Sequence, residues 1–193
     1  MPQFLPALAR HDARVMMFVD GENLAIRYKE MLANSEAVSH VVHVEDVFVW
    51  TRYASRLNGP QEYVRRYYYT SSRGDSEARA SYEEQLRSLG IEAPRVFPRK
   101  RNGRSKRVDI TLATEMLTHA HRKNFDIAVL VAGDEDYVPL IEAVKAEGRR
   151  VAVWFLGNGL SPALRNAADF YWDIGEVLFQ DSRNRNVFDV LYG

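Results

Sequence analysis

The run Ile127-Ala128-Val129-Leu130-Val131-Ala132, followed at once by Gly133-Asp134-Glu135-Asp136, constrains this chain more than any other segment. An unbroken apolar run of this length reads as a strand covered on both faces, the condition of a strand inside a parallel sheet. Three acidic side chains at its C-terminal end lie where open α/β sheets place their ligands. Carboxylates crowded at one point repel unless something positive belongs among them, and a hard divalent cation suits their oxygens.

The rest of the chain supplies partners for such a strand. Val15 to Val19 is a short apolar strand stopped by Asp20-Gly21-Glu22-Asn23, and Leu24, Ile26 and Met31 follow at helical spacing. Glu45-Asp46 opens a predicted helix carrying Val47, Trp50, Tyr53, Ala54 and Leu57. Tyr63 to Tyr69 is an aromatic-rich strand. Asp75 or Ser76 caps a helix that runs to Leu89 and closes at Gly90. Pro94 to Pro98 is a third strand. A basic loop leads into a helix over 108–122 with Ile110, Ala113, Leu117 and Ala120 on its predicted apolar face. After the acidic strand come a helix over 137–147, a strand over 150–156, a short helix opened by Ser161-Pro162, and a last strand at Phe170-Tyr171-Trp172. Strands alternating with helices predict a parallel sheet with helices on both faces. The expected organisation is a tail over 1–13, one domain over 14–174, and a C-terminal tail over 175–193. Val187, Phe188, Val190, Leu191 and Tyr192 in that tail suggest docking onto the domain or onto a second copy as a homodimer.

Charge and cysteine content narrow the function classes. Twenty-six basic residues balance 26 acidic ones, so no global positive field draws in nucleic acid or a membrane, and any such binding needs a local patch. With no cysteine, the 193 residues offer no disulfide, thiolate metal site or cysteine nucleophile. No apolar stretch reaches the length of a membrane span and the N-terminus lacks a basic leader, so a soluble cytoplasmic protein is expected.

Right-handed crossovers put the C-terminal ends of parallel strands on one edge, which makes Asp20 and Asp134 potential neighbours. Asp109 lies in the first turn of its helix. Each acid also has an ordinary explanation: Asp20-Gly21 as a turn, Asp109 as favourable charge on a helix N-terminus, Asp134 or Asp136 as a cap. Taken together, their recurrence at element ends favours a shared purpose.

Phe18-Val19-Asp20-Gly21-Glu22-Asn23-Leu24, Lys106-Arg107-Val108-Asp109-Ile110 and Val131-Ala132-Gly133-Asp134-Glu135-Asp136-Tyr137, in this order, resemble the NYN domain family of the PIN-like nucleases, and most of all its LabA-like branch. Ser161, Leu164, Ala168-Asp169 and Phe170 resemble the family's closing segment, so the likeness runs from about Val15 to Ile174. The resemblance implies a PIN-like three-layer α/β/α fold with a central parallel sheet of about five or six strands. It also implies metal-dependent cleavage of RNA, by an endoribonuclease using Mg²⁺ or Mn²⁺. The family's acidic positions match Asp20, Asp109, Asp134 and Asp136, expected as catalytic and metal-holding residues, and its first-motif asparagine matches Asn23. Asn23 is expected to orient a water or a phosphate oxygen. Glu135 stands where the family more often has a small hydroxyl residue, and Tyr137 where it usually has phenylalanine.

Arg95, Arg99, Lys100, Arg101, Arg104, Lys106 and Arg107 form a basic stretch without an acid. It reads either as a phosphate-tracking loop beside the active edge or as a solvated surface loop. Lys106, Arg104, Arg101, Lys100 and, at the end of the second predicted strand, Arg73 are the expected RNA contacts. The histidine pairs His40/His43 and His119/His121 lack ligand spacing, and Gly157-Asn158-Gly159 is too short for a dinucleotide fingerprint. The competing readings are a non-catalytic RNA- or protein-binding module with the same fold and a metal phosphoesterase acting on DNA.

Overall fold

The computed structural model describes residues 13–33, 38–56, 62–99 and 106–179. Strand β1 (Arg14–Asp20) is buried beyond its first residue and lies in the middle of a six-stranded parallel sheet. On one side it pairs with β4 (Glu62–Ser72), which pairs with β5 (Ala93–Pro98). On the other it pairs with β6 (Ile127–Val131), followed by β7 (Arg150–Phe155) and β8 (Phe170–Asp173). The sheet order is therefore β5-β4-β1-β6-β7-β8. The chain builds outward from β1 to β5 and then returns to β1's other side, so β1 and β6 flank the point where the winding reverses. Open sheets bind ligands at the carboxyl ends of strands at such a point.

Strand residues alternate between two cores. Val15, Met17 and Val19 face the layer of α1 (Gly21–Leu32) and α3 (Ser76–Ser88). Met16 and Phe18 face the layer of α4 (Lys106–His121), α5 (Val138–Ala146) and α6 (Pro162–Ala167). Helix α1, which follows β1, and helix α5, which follows β6, thus lie on opposite faces. The three-layer α/β/α fold with a parallel sheet is as expected. Asp75 caps α3 by accepting from Ala78 N at 2.9 Å, and Gly148 closes α5 with φ +72°.

Two expectations fail. The segment after Glu45-Asp46 is not a helix: β2 (Val42–Val44) and β3 (Phe48–Trp50) form an antiparallel pair, and only α2 (Arg52–Arg56) is helical. Asp46 turns the hairpin at φ +59°, and Phe48, Val49 and Trp50 are all buried, so burial on both faces imitated a helical interval. Tyr68 of β4 docks the hairpin by donating to Val49 O at 3.0 Å and accepting from Val49 N at 3.2 Å. Leu57 lies outside the described residues. The second failure is the rotation of α4. Its core stripe is Val108, Leu112, Met116 and Ala120, whereas Ile110 is 65% exposed and Leu117 37%.

The N-terminal tail before Ala13 and the apolar C-terminal residues Val187, Phe188, Val190, Leu191 and Tyr192 lie outside the described residues. The start of the segment expected as a C-terminal tail forms α7 (Gly175–Leu178), with Val177 and Leu178 in the core. Among the described residues no helix is long and apolar enough to cross a membrane.

Candidate active site

Asp20 ends β1 and caps α1, its Oδ1 accepting from Asn23 N at 3.0 Å. Asp20-Gly21 is therefore not a plain turn but the capped start of a helix. Asp20 is only 4% exposed, a deeper burial than capping requires. Burial pushes its carboxyl up to about 7, and the charges of Asp109 and Glu22 add to that, against the hydrogen bonds from Asn23 and Tyr137. Gly21 permits the approach of α1 to the sheet, since a Cβ there would stand 2.1 Å from the Tyr68 ring and 2.9 Å from Tyr69 O.

Asp134 follows β6 and caps a single 3-10 turn over Glu135–Tyr137, accepting from Asp136 N at 3.2 Å. Gly133, one residue before, is pinned from three directions. Its N–H donates to Asn23 Oδ1 at 2.9 Å, and its carbonyl accepts from Ser161 N at 2.9 Å. A Cβ would lie 2.2 Å from the Phe155 ring and 2.5 Å from Gly159 O. The Asn23 carboxamide thus joins the two motifs, with its oxygen committed to the backbone beside Asp134.

Asp20, Asp109, Asp134 and Asp136 all line one cleft of about 490 Å³ between α4 and α5. Four carboxylates separated by up to 116 positions in sequence (136 − 20) share it. Tyr137 stands among them: its hydroxyl lies 3.0 Å from Asp20 Oδ2 and 3.4 Å from Asp109 Oδ1. Glu135 is exposed and absent from the lining, and Ser161 Oγ donates to its Oε2 at 3.4 Å. The unusual acid of the motif is therefore turned toward the start of α6. Away from the carboxylates the cleft wall is aliphatic, formed by Ile110, Ala113, Leu117, Pro139, Leu140 and Ala143.

Among the described residues no three acidic or histidine side chains converge tightly enough to chelate one ion directly. The donor set is all oxygen, gathered in one cleft. That suits a hard cation that keeps several waters and uses only one or two carboxylates directly, as Mg²⁺ does.

The basic residues divide. Arg95 pairs with Glu115 at 3.4 Å, and the Arg107 guanidinium lies 5.0 Å from the Phe97 ring centroid. Arg99 turns inward, 3.5 Å from the buried Glu22, donating to Ser71 Oγ at 2.8 Å and Asp46 O at 2.6 Å. Ser71 Oγ also donates to Glu22 Oε1. Arg73 is exposed in the bend after β4 and does not line the cleft. Lys106 opens α4, while Lys100, Arg101 and Arg104 lie outside the described residues. Sequence reasoning missed the buried Glu22, although it sits inside the first motif, and the inward turn of Arg99, for which spacing gave no signal.

The NYN domain family matches residues 14–175, which include all six strands of the sheet and helices α1 to α6. The chain belongs to the NYN domain family. The NYN domain places it in the PIN-like nuclease superfamily. An uncharacterized protein of Methanocaldococcus jannaschii is 35% identical over 78 residues, 40% of this chain. The matched stretch spans about a third (32%) of that relative's length. A crystal structure of a protein of unknown function from Vibrio parahaemolyticus superposes with a TM-score of 0.67 at 20% identity, covering 88% of this chain and 98% of that one. At that identity the likeness is one of fold, and the NYN assignment rests on the family match.

Proposed function

We propose that this NYN domain is a Mg²⁺- or Mn²⁺-dependent endoribonuclease. The observation that carries the reading is the delivery of four carboxylates to one cleft at the carboxyl edge of the sheet, with Asp20 desolvated among them. Burying a carboxylate beside others is costly, and a bound cation offsets that cost. Asp20, Asp109, Asp134 and Asp136 would hold the ion, directly or through water. When bound, it would supply an activated water, neutralisation of the phosphate and stabilisation of the leaving oxygen.

The chain's own residues do the positioning. Asn23 fixes Gly133 and so the approach of Asp134, while its backbone N–H fixes Asp20. Near neutral pH Asp20 is divided between ionised and protonated forms, so a cation competes with a proton for its oxygens. The aliphatic wall of the cleft gives the uncharged part of a nucleotide a place beside the carboxylates. Arg73, Lys106 and the basic residues Lys100, Arg101 and Arg104 are assigned to the RNA phosphates, giving a neutral chain a local cationic approach.

Labelled RNA and a matched DNA, each incubated with Mn²⁺, Mg²⁺ or EDTA, test the reading. RNA cleavage with metal, abolished by EDTA and by Asp134→Asn in a folded preparation, is the expected result. Cleavage of DNA instead identifies a different metal phosphoesterase. RNA binding without cleavage under every condition identifies a binding module.

A further inference from the structure

Tyr137 carries a hydroxyl that its packing does not require. The ring lies in the core between the sheet and the layer of α4 and α5, and phenylalanine would fill the same socket. The oxygen emerges among the carboxylates, 3.0 Å from Asp20 Oδ2 and 3.4 Å from Asp109 Oδ1. A phenol has one proton, so it donates to the nearer Asp20 and shares the bond with Asp109 at longer range. The other oxygen of Asp20 already accepts from Asn23 N, so both Asp20 oxygens are held.

The two acids arrive on different elements. Asp20 ends a central strand, and Asp109 lies in the first turn of α4, which packs on one face of the sheet. Backbone geometry alone does not set how their carboxylates face each other. The Tyr137 hydroxyl links the two without adding a charge. Outer hydrogen bonds of this kind orient metal-holding side chains and govern the affinity of the site.

We propose that Tyr137 is a positioning residue whose hydroxyl holds Asp20 and Asp109 as a preset pair for the divalent cation. The proposal rests on the metal-nuclease reading above. Its substitution removes one oxygen from a filled socket, so the effect is separable from the fold.

The test compares wild type with Tyr137→Phe by calorimetric titration of Mn²⁺ in the absence of RNA. Circular dichroism and thermal melts in EDTA establish that both are folded. The Mn²⁺ Kd is expected to rise about 10–100-fold, the usual effect of losing such an outer partner. Cleavage should fall at limiting Mn²⁺ and recover at saturating Mn²⁺, with the KM for RNA unchanged. A folded Tyr137→Phe with the wild-type Mn²⁺ Kd overturns the positioning role and leaves the nuclease reading standing. Wild type that binds neither Mn²⁺ nor Mg²⁺ overturns both. Asp109→Asn and Tyr137→Phe/Asp109→Asn complete a double-mutant cycle with wild type and Tyr137→Phe. The loss of Mn²⁺ affinity on removing the hydroxyl should shrink at least severalfold when Asp109 is already neutral, and an equal loss in both backgrounds overturns the proposal.

Discussion

Asn23 Oδ1 accepts a 2.9 Å hydrogen bond from the backbone N–H of Gly133, a link across 110 positions between the first turn of α1 and the loop after β6. It clamps the two central strand ends whose acids face the cleft. Asn23→Ala leaves the Gly133 N–H buried with no acceptor. The expected cost is about 1–3 kcal/mol in urea unfolding, with faster amide exchange at Gly133. Wild-type stability together with wild-type exchange would contradict this assignment.

Glu22 and Arg99 form a second buried link. Glu22 is 3% exposed and the Arg99 side chain 16%, and Ser71 bonds to both. Removing Arg99 alone takes from a buried carboxylate the guanidinium 3.5 Å from it. Arg99→Ala is expected to destabilise by roughly 3–5 kcal/mol, and Glu22→Gln/Arg99→Met by distinctly less. Chemical denaturation of the three proteins decides it; equal losses for the single and double variants would argue against the pair.

The Asp20 carboxyl gives a pH dependence of definite sign. Burial raises it from 3.8 to about 7 in the folded state. Between those values the folded chain binds more protons than the unfolded one, so this group lowers stability as pH rises through the window. Asp20→Asn keeps a capping oxygen and removes the titration. In EDTA, its melting temperature relative to wild type should climb by on the order of several degrees from pH 5 to pH 8. Added Mn²⁺ should narrow the gap by stabilising wild type alone. A difference that is flat with pH would count against the buried-acid assignment.

Ile110 and Leu117 separate packing from binding on one helix. Both are exposed on the cleft wall, while Leu112 of the same helix is fully buried. Ile110→Ser and Leu117→Ser are each expected to change stability by about 0.5 kcal/mol or less, and Leu112→Ala to cost about 2–5 kcal/mol. In cleavage assays the two serine variants should raise the KM for RNA severalfold with little change in kcat. An unchanged KM would remove the aliphatic wall from the substrate path.

Much of the fold was legible because its signals are local. The apolar run at 127–132, the caps at Asp75 and Ser161 and the closing glycines each report on a few neighbouring residues, and the structure has them as read. The hairpin at 42–50 was not legible, since a fully buried ribbon and an amphipathic helix both present large apolar residues at short intervals. The face of α4 was misread for a related reason. Ile110, Ala113 and Leu117 do form a helical stripe, but it lines the cleft rather than the core.

The sequence by itself determined that strands alternate with helices, that acids end the strands, and which family the chain joins. Periodicity, capping chemistry and motif order are properties of neighbouring residues and survive without coordinates. Only the tertiary structure decided that Asp109 shares a cleft with Asp20, that Arg99 turns inward to Glu22, that Glu135 faces Ser161, and that the Tyr137 hydroxyl lies between two carboxylates. Those relationships depend on how far one element is rotated and shifted against another. Packing across the whole core sets that quantity, and no short stretch of sequence encodes it.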